Sequence, residues 1–304
     1  MTDTTDHALR KLFGNSRIGL GCMALTGLYG KVDKSRAIST IHAALDLGVQ
    51  HFDTAELYGP YTNEELLAEA LSTSRNTATV ATKFGYKIVD GQIEGRDSRP
   101  KSIRQSAENS LKRLKRDRID LFYQHRPDPD VPLEDVVGTM SDLRNEGKID
   151  AAGLSGVELS FLNNATLAMP ITAVQNEFSI AENGSYLDHP ELIFVAHSPL
   201  ARGLLASQKP MKVAVKADDF RYSNKRFQSV KADLVRKTES RLLDLAMEYE
   251  VQPAVIALAA VLHQSPRVVA IPGAKSPSQI KTCMEACELK LDANVLNSLW
   301  SPFG

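Results

Sequence analysis

Four ionisable side chains stand at comparable places in the first half of this 304-residue chain. Asp53 closes the run VQHFD, Tyr58 follows in the turn AELYG, Lys83 closes ATVATKF, and His125 closes IDLFYQH. Singly, each has an ordinary structural reading. An acid after a strand caps a helix, a lysine there is a solvated charge, and a histidine is a hydrogen-bonded structural residue. Gathered at one rim, they form a set that delivers a proton to an oxygen gaining negative charge. A phenol with a pKa of about 10 is a poor donor at neutral pH, and a neighbouring ammonium is expected to lower that value. Asp53 would hold Lys83 charged, and His125 would hydrogen-bond a carbonyl oxygen and turn it towards Tyr58. The set contains no nucleophilic Ser or Cys and no metal ligands. A reduction carried out by it needs a hydride from a bound cofactor.

The elements that must position these residues are legible as an alternation. Eight short β-branched or apolar runs recur: RIGLG, VQHFD, ATVATKF, IDLFYQH, IDAAGLS, ITAVQNE, LIFVAHS and RVVAIPG. Between most of them lie stretches of helical period, among them SRAISTIHAALDLG, NEELLAEALSTS, KSIRQSAENSLKRLKR and LEDVVGTMSDLRNEGK. Asn63 before Glu64 and Glu65 reads as a helix start, and Gly48 and Gly147 read as stops. Strands alternating with helices must pair in parallel. Eight such units fit one closed (β/α)8 barrel over residues 1–304 better than an open doubly wound sheet, and no GxGxxG follows the first run. Asp53, Tyr58, Lys83 and His125 then share one mouth of the barrel.

Two regions depart from the alternation. IAENGSYLDHPE, between the sixth and seventh runs, has room only for a helical turn or an irregular loop. ASQKPMKVAVKADDFRYSNKRFQS, after the seventh, is a long polar segment that reads either as a lid over the mouth or as a mobile surface loop, before a helix that begins near Val230.

Bulk properties agree with a globular protein. Hydrophobic residues make up 43% and charged ones 24%, enough for a sizeable core. A formal net charge of −1 gives no electrostatic case for nucleic acid or an anionic membrane. Cys22, Cys283 and Cys287 are too few for a disulfide framework or a zinc site, and Cys283 and Cys287, four apart on an expected helix, read as buried thiols. The opening MTDTTDHALRKLFG lacks an apolar signal core, so the expected location is cytoplasmic, and the sequons at Asn164 and Asn183 are then idle. KRLKRDR, from Lys112 to Arg118, sits at a helix C-terminus, where cations are favourable.

The chain resembles an aldo-keto reductase over nearly its whole length. GVQHFDTAELYGPYTNEELLAEAL is similar to that family's first signature, VATKFG to its lysine segment and IDLFYQHRPDP to its histidine segment. EGKIDAAGLSG, ITAVQNEFS, AHSPLARGLL and VVAIPGAKSPSQI follow in the expected order, and YGPYTNEE points to a bacterial, fungal and plant branch. The resemblance implies an NADP-dependent oxidoreductase of the alcohol dehydrogenase type acting on small carbonyl compounds. Asp53, Tyr58, Lys83 and His125 would be the catalytic tetrad, with Tyr58 the general acid. It further implies that Ser155 and Gln175 hold the nicotinamide carboxamide and that His197 packs on the nicotinamide ring. Ser198, Leu200 and Arg202 would follow the pyrophosphate, with Gly273, Ala274, Lys275 and Gln279 beside the adenosine 2′-phosphate. Lys275 favours NADPH over NADH. Gln279 stands where many relatives carry arginine, and Cys283 where many carry asparagine. The sixth helical segment is shorter than usual, leaving a thinned wall open to a second copy of the chain.

Substrate-contact candidates are Met23, Ala24, Tyr29, Phe84, Arg126 and the lid from Phe220 to Phe227. A nucleotide-binding regulatory subunit of the same fold, with little turnover, is the alternative. An unrelated barrel enzyme, such as a phosphate-binding isomerase, is the third reading.

Overall fold

The computed structural model describes residues 4–74, 77–182, 184–206 and 231–300. All eight runs become strands of one parallel sheet: β1 (Leu20–Gly21), β2 (His51–Asp53), β3 (Thr79–Phe84), β6 (Ile119–Gln124), β7 (Ile149–Ser155), β8 (Ala173–Glu177), β9 (Ile193–His197) and β10 (Val268–Ile271). The sheet order is β1-β2-β3-β6-β7-β8-β9-β10. Its ends meet through parallel bridges Ile18↔Ala270 and Gly21↔Gly273, with Gly19 N donating to Ala270 O at 2.9 Å. The result is a closed (β/α)8 barrel.

Strand alternation separates two cores. Ala81, Leu121, Tyr123, Ala173, Val195 and Val269 point inwards and fill the barrel. Phe52, Val80, Phe122, Val174 and Phe194 point outwards to the helices. Helices α2 (Lys34–Asp46), α3 (Thr62–Ala70), α4 (Pro100–Leu114), α5 (Leu133–Asn145), α6 (Leu159–Ala168), α8 (Pro253–Leu262) and α9 (Pro277–Glu285) lie in that outer layer, and α7 (Lys231–Glu248) packs on α8. Gly48 and Gly147, both at positive φ, follow the ends of α2 and α5 as their sequence positions suggest.

Three features are not in the sequence reading. Helix α1 (Thr4–Phe13) plugs one end of the barrel: Leu12 and Phe13 join the interior cluster, and Phe13 stacks on His51 with ring centres 4.0 Å apart. A hairpin of β4 (Tyr86–Val89) and β5 (Gln92–Arg96) leaves the end of β3. Asn63 does not cap α3. It is fully buried, with Nδ2 donating to Cys22 O (2.9 Å) and Oδ1 accepting from Thr54 Oγ1 (2.7 Å).

The short segment between β8 and β9 forms no helix among its described residues. The aromatics Phe178, Tyr186 and Phe194 fill this part of the wall, and Trp300 of α10 (Ala293–Trp300) stacks on Phe178 at 5.2 Å. The thinned wall expected here is therefore packed by the chain's own C-terminal helix.

Candidate active site

Asp53 ends β2, and its carboxylate is buried under the mouth of the barrel. Oδ1 accepts from Lys83 Nζ at 2.5 Å and Oδ2 from Gln175 Nε2 at 2.8 Å. The lysine also donates to Thr54 O at 2.8 Å. A fully buried ammonium is costly to hold charged. Burial pushes the Lys83 pKa down and Asp53 pushes it back up. Gln175, which the resemblance directs to the cofactor, is thus already committed to this pair through its amide.

Tyr58 rises from the loop after β2, with its ring 5.2 Å from Lys83 Nζ and 5.9 Å from the edge-on ring of His125. The expectation that Lys83 lowers the phenol pKa is reversed here. Burial pushes it well above its ordinary value, and Asp53 and Tyr29 add to the effect. The cation that opposes them is Arg126. His125 moves the other way. Burial and the charges of Lys83 and Arg126 hold it well below the usual imidazole range, so at neutral pH it is an uncharged donor. Its ring is pinned edge-on between Tyr58 and Tyr86 (5.1 Å).

These groups lie at one end of a cavity of about 700 Å³, a size typical of ligand sites. Asp53, Tyr58 and His125 line it, while Lys83 sits behind Asp53. Ser155, Gln175, His197, Ser198, Leu200, Arg202, Gly273, Lys275 and Gln279 also line it, as do Met23, Ala24, Tyr29 and Arg126. Two of the cofactor and substrate candidates do not. Phe84 is 1% exposed and packs on Phe122 at 4.8 Å, because an inward Lys83 turns its neighbour outwards to the helices. Ala274 is buried beside the cavity wall. The lid candidates from Phe220 to Phe227 lie outside the described residues.

Sequence reasoning also missed Tyr86 and Ile93, which the hairpin brings to the cavity. A signal existed. Asp90-Gly91, between YKIV and QIEG, is the dipeptide that turns a two-residue hairpin, and both residues adopt positive φ (48° and 75°). Ile93 remains 53% exposed, an apolar residue held at the rim of the site.

The far end suits a phosphate. Lys275 Nζ donates to Tyr29 O at 2.8 Å, and Ser276 caps α9, whose N-terminus presents a positive dipole beside it. Gln279 turns inwards and accepts from Lys275 N at 2.7 Å. Arg36 of α2 also reaches this end, with Nε donating to Lys275 O at 3.1 Å. That guanidinium is 239 positions away in sequence and no local motif announces it. Between the two ends, Ser198, Ala201, Arg202 and Gly203 all have positive φ, a cluster of uncommon backbone conformations at the cavity wall.

The sequence profile of the Aldo/keto reductase family matches residues 17–301. A probable aldo-keto reductase from Glycine max is 35% identical over 299 residues, covering 95% of this chain and 85% of the relative. Among solved structures, a glycerol dehydrogenase from Gluconobacter oxydans superposes with a TM-score of 0.85 at 30% identity, covering 94% of this chain and 91% of the other. An aldo-keto reductase from Klebsiella pneumoniae in complex with NADPH shares the fold, with a TM-score of 0.71 at 23% identity over 93% and 89% of the two chains.

Proposed function

Since the chain belongs to the aldo/keto reductase family and is thereby an oxidoreductase, we propose that it reduces aldehydes and ketones to alcohols with NADPH, Tyr58 donating the proton. The observation that carries this reading is one cavity with two chemically distinct ends. Tyr58 and His125 stand over the buried Lys83–Asp53 pair at one end, and Lys275 stands at the mouth of a helix N-terminus at the other.

The donor set fits a nicotinamide dinucleotide phosphate. Ser155, Gln175 and His197 lie on the Tyr58 side, Ser198 and Arg202 in the middle, and Lys275 at the far end, where Arg36 lies alongside. A fold relative holds NADPH, and Lys275 with Arg36 offers charge to a 2′-phosphate where Gln279 offers none. When bound, the reduced nicotinamide supplies the hydride to the carbonyl carbon.

The chain's own residues handle the oxygen. Neutral His125 donates a hydrogen bond to the carbonyl oxygen and orients it. Tyr58, a protonated phenol at neutral pH, gives its proton to that oxygen as negative charge develops. Lys83 stabilises the phenolate left behind, and Asp53 fixes the ammonium at 2.5 Å in the position where it does so.

The test follows NADPH absorbance with purified protein, a panel of aldehydes and ketones, and Tyr58→Phe in parallel. Turnover by wild type that falls by about 10²-fold or more in the variant, with NADPH still bound, supports the assignment. NADPH binding without turnover of any carbonyl would favour a regulatory subunit. No NADPH binding would refute the cofactor assignment.

A further inference from the structure

Arg126 follows His125 directly after β6 and lies half-buried in the cavity wall. Its Nη1 donates to Ser155 Oγ and to His125 O, both at 3.0 Å. The guanidinium rests on Gly156. A Cβ there would come within 2.4 Å of Nη1, and Gly156 itself has φ +65°. The side chain is therefore seated by two acceptors and by the absence of a neighbouring side chain.

What the seat lacks is a counter-charge. Lys83 is paired with Asp53 at 2.5 Å and Arg202 with Glu177 at 3.5 Å. Among the described residues, no carboxylate lies within 4 Å of Arg126. Its two hydrogen bonds go to a hydroxyl and a backbone carbonyl, which orient the guanidinium and leave its charge uncompensated. A partly desolvated cation of this kind is stabilised by an anion that arrives with a ligand. On the cofactor assignment proposed above, the phosphates run along Ser198 and Arg202 towards Lys275, at the opposite end. They leave the Arg126 charge to the substrate.

We infer that Arg126 is the anion-recognition residue of the substrate subsite, and that the preferred substrates are carbonyl compounds bearing a carboxylate near the reacting carbon. Met23, Leu57, Tyr86 and Ile93 line the same region and suit a short apolar spacer between the two groups. The carboxylate is a handle and takes no part in the chemistry. The carbonyl carbon gains the hydride, the oxygen gains the Tyr58 proton, and the acid group leaves unchanged on the alcohol. This inference rests on the reductase reading.

The experiment compares kcat/KM with NADPH for matched pairs, succinic semialdehyde against butanal and 4-carboxybenzaldehyde against benzaldehyde. Wild type is expected to prefer the carboxylated member by about tenfold or more. Arg126→Met should bring each ratio to near one, and Arg126→Lys should retain part of it because the charge persists. Gly156→Ala, which displaces the guanidinium without removing it, should lower the ratio as well. Because each readout is a ratio within one variant, a general loss of activity does not imitate the effect. A wild-type ratio of one or below, or a ratio unchanged in Arg126→Met, overturns the inference and leaves the reductase reading standing. If neither member of either pair is turned over, titration calorimetry of the protein with benzoate and benzamide decides the anion site. Benzoate binding that Arg126→Met abolishes supports it. Absent binding, or equal binding by the variant, overturns it.

Discussion

Replacing Glu56 with glutamine should stabilise the protein at alkaline pH and not at acid pH. Glu56 lies in the loop between Asp53 and Tyr58, 8% exposed, with Oε2 accepting from Ser106 Oγ of α4 at 2.6 Å. Burial pushes its pKa from an ordinary 4.5 up to about 7. Nearby Glu64 adds to the rise, while the hydrogen bonds from Ser106 and from the Gly85 amide, and the charge of Arg113, oppose it. The folded carboxyl therefore keeps a proton between about pH 4.5 and 7 that the unfolded chain has released. Stability falls as pH rises through that window and is lowest above it. The gap from 4.5 to about 7 corresponds to about 3 kcal/mol once both states are ionised.

Glutamine has the shape of the protonated acid and cannot ionise. Its advantage over wild type should therefore be about 2 kcal/mol larger at pH 8 than at pH 5, or about 3 °C in Tm for a chain of this size. Thermal unfolding followed by circular dichroism at both pH values measures it. Buried His51, whose pKa is pushed down to about 4, makes wild type less stable as pH falls below 6.5. It does so in both proteins and cancels from the difference. An advantage of equal size at pH 5 and pH 8, or one larger at pH 5, would refute the argument that burial governs Glu56.

Other outcomes follow from the same geometry. Lys275→Met should raise the KM for NADPH by about tenfold while leaving that for NADH within about twofold, and Arg36→Met should act in the same direction more weakly, both read from steady-state kinetics. Phe13→Ala removes the ring stacked on His51 in the barrel plug and should cost about 3–5 kcal/mol in urea unfolding. Ile93→Ser, at the exposed rim of the hairpin, should raise KM for apolar aldehydes several-fold with kcat little changed, since the side chain lies away from the reacting groups.

The barrel itself was legible because each strand carries its own signal. Short apolar runs at regular spacing, separated by stretches of helical period, leave parallel pairing as the natural solution, and the eight runs became the eight strands. Asp53, Lys83 and His125 could be gathered at one mouth from sequence because all three sit at corresponding strand ends. The two-residue period also held information that went unread, since an inward Lys83 dictates an outward Phe84. The Asp90-Gly91 turn was equally available, and with it Tyr86 and Ile93.

What only the tertiary structure decided are the properties that depend on which groups share a space. No local pattern tells that Leu12 and Phe13 plug the barrel, or that Trp300 of the last helix closes the wall beside Phe178. Nor could spacing reveal that Arg36 meets Lys275, or that Asn63 serves as a buried tie instead of a cap. The direction of the Tyr58 pKa is the clearest case. Sequence supplies the phenol and the ammonium, but the sign depends on burial and on Asp53 and Tyr29 lying close to the phenol. Desolvation and charge pairing are three-dimensional sums, so a sequence can name the groups that enter them without fixing the result.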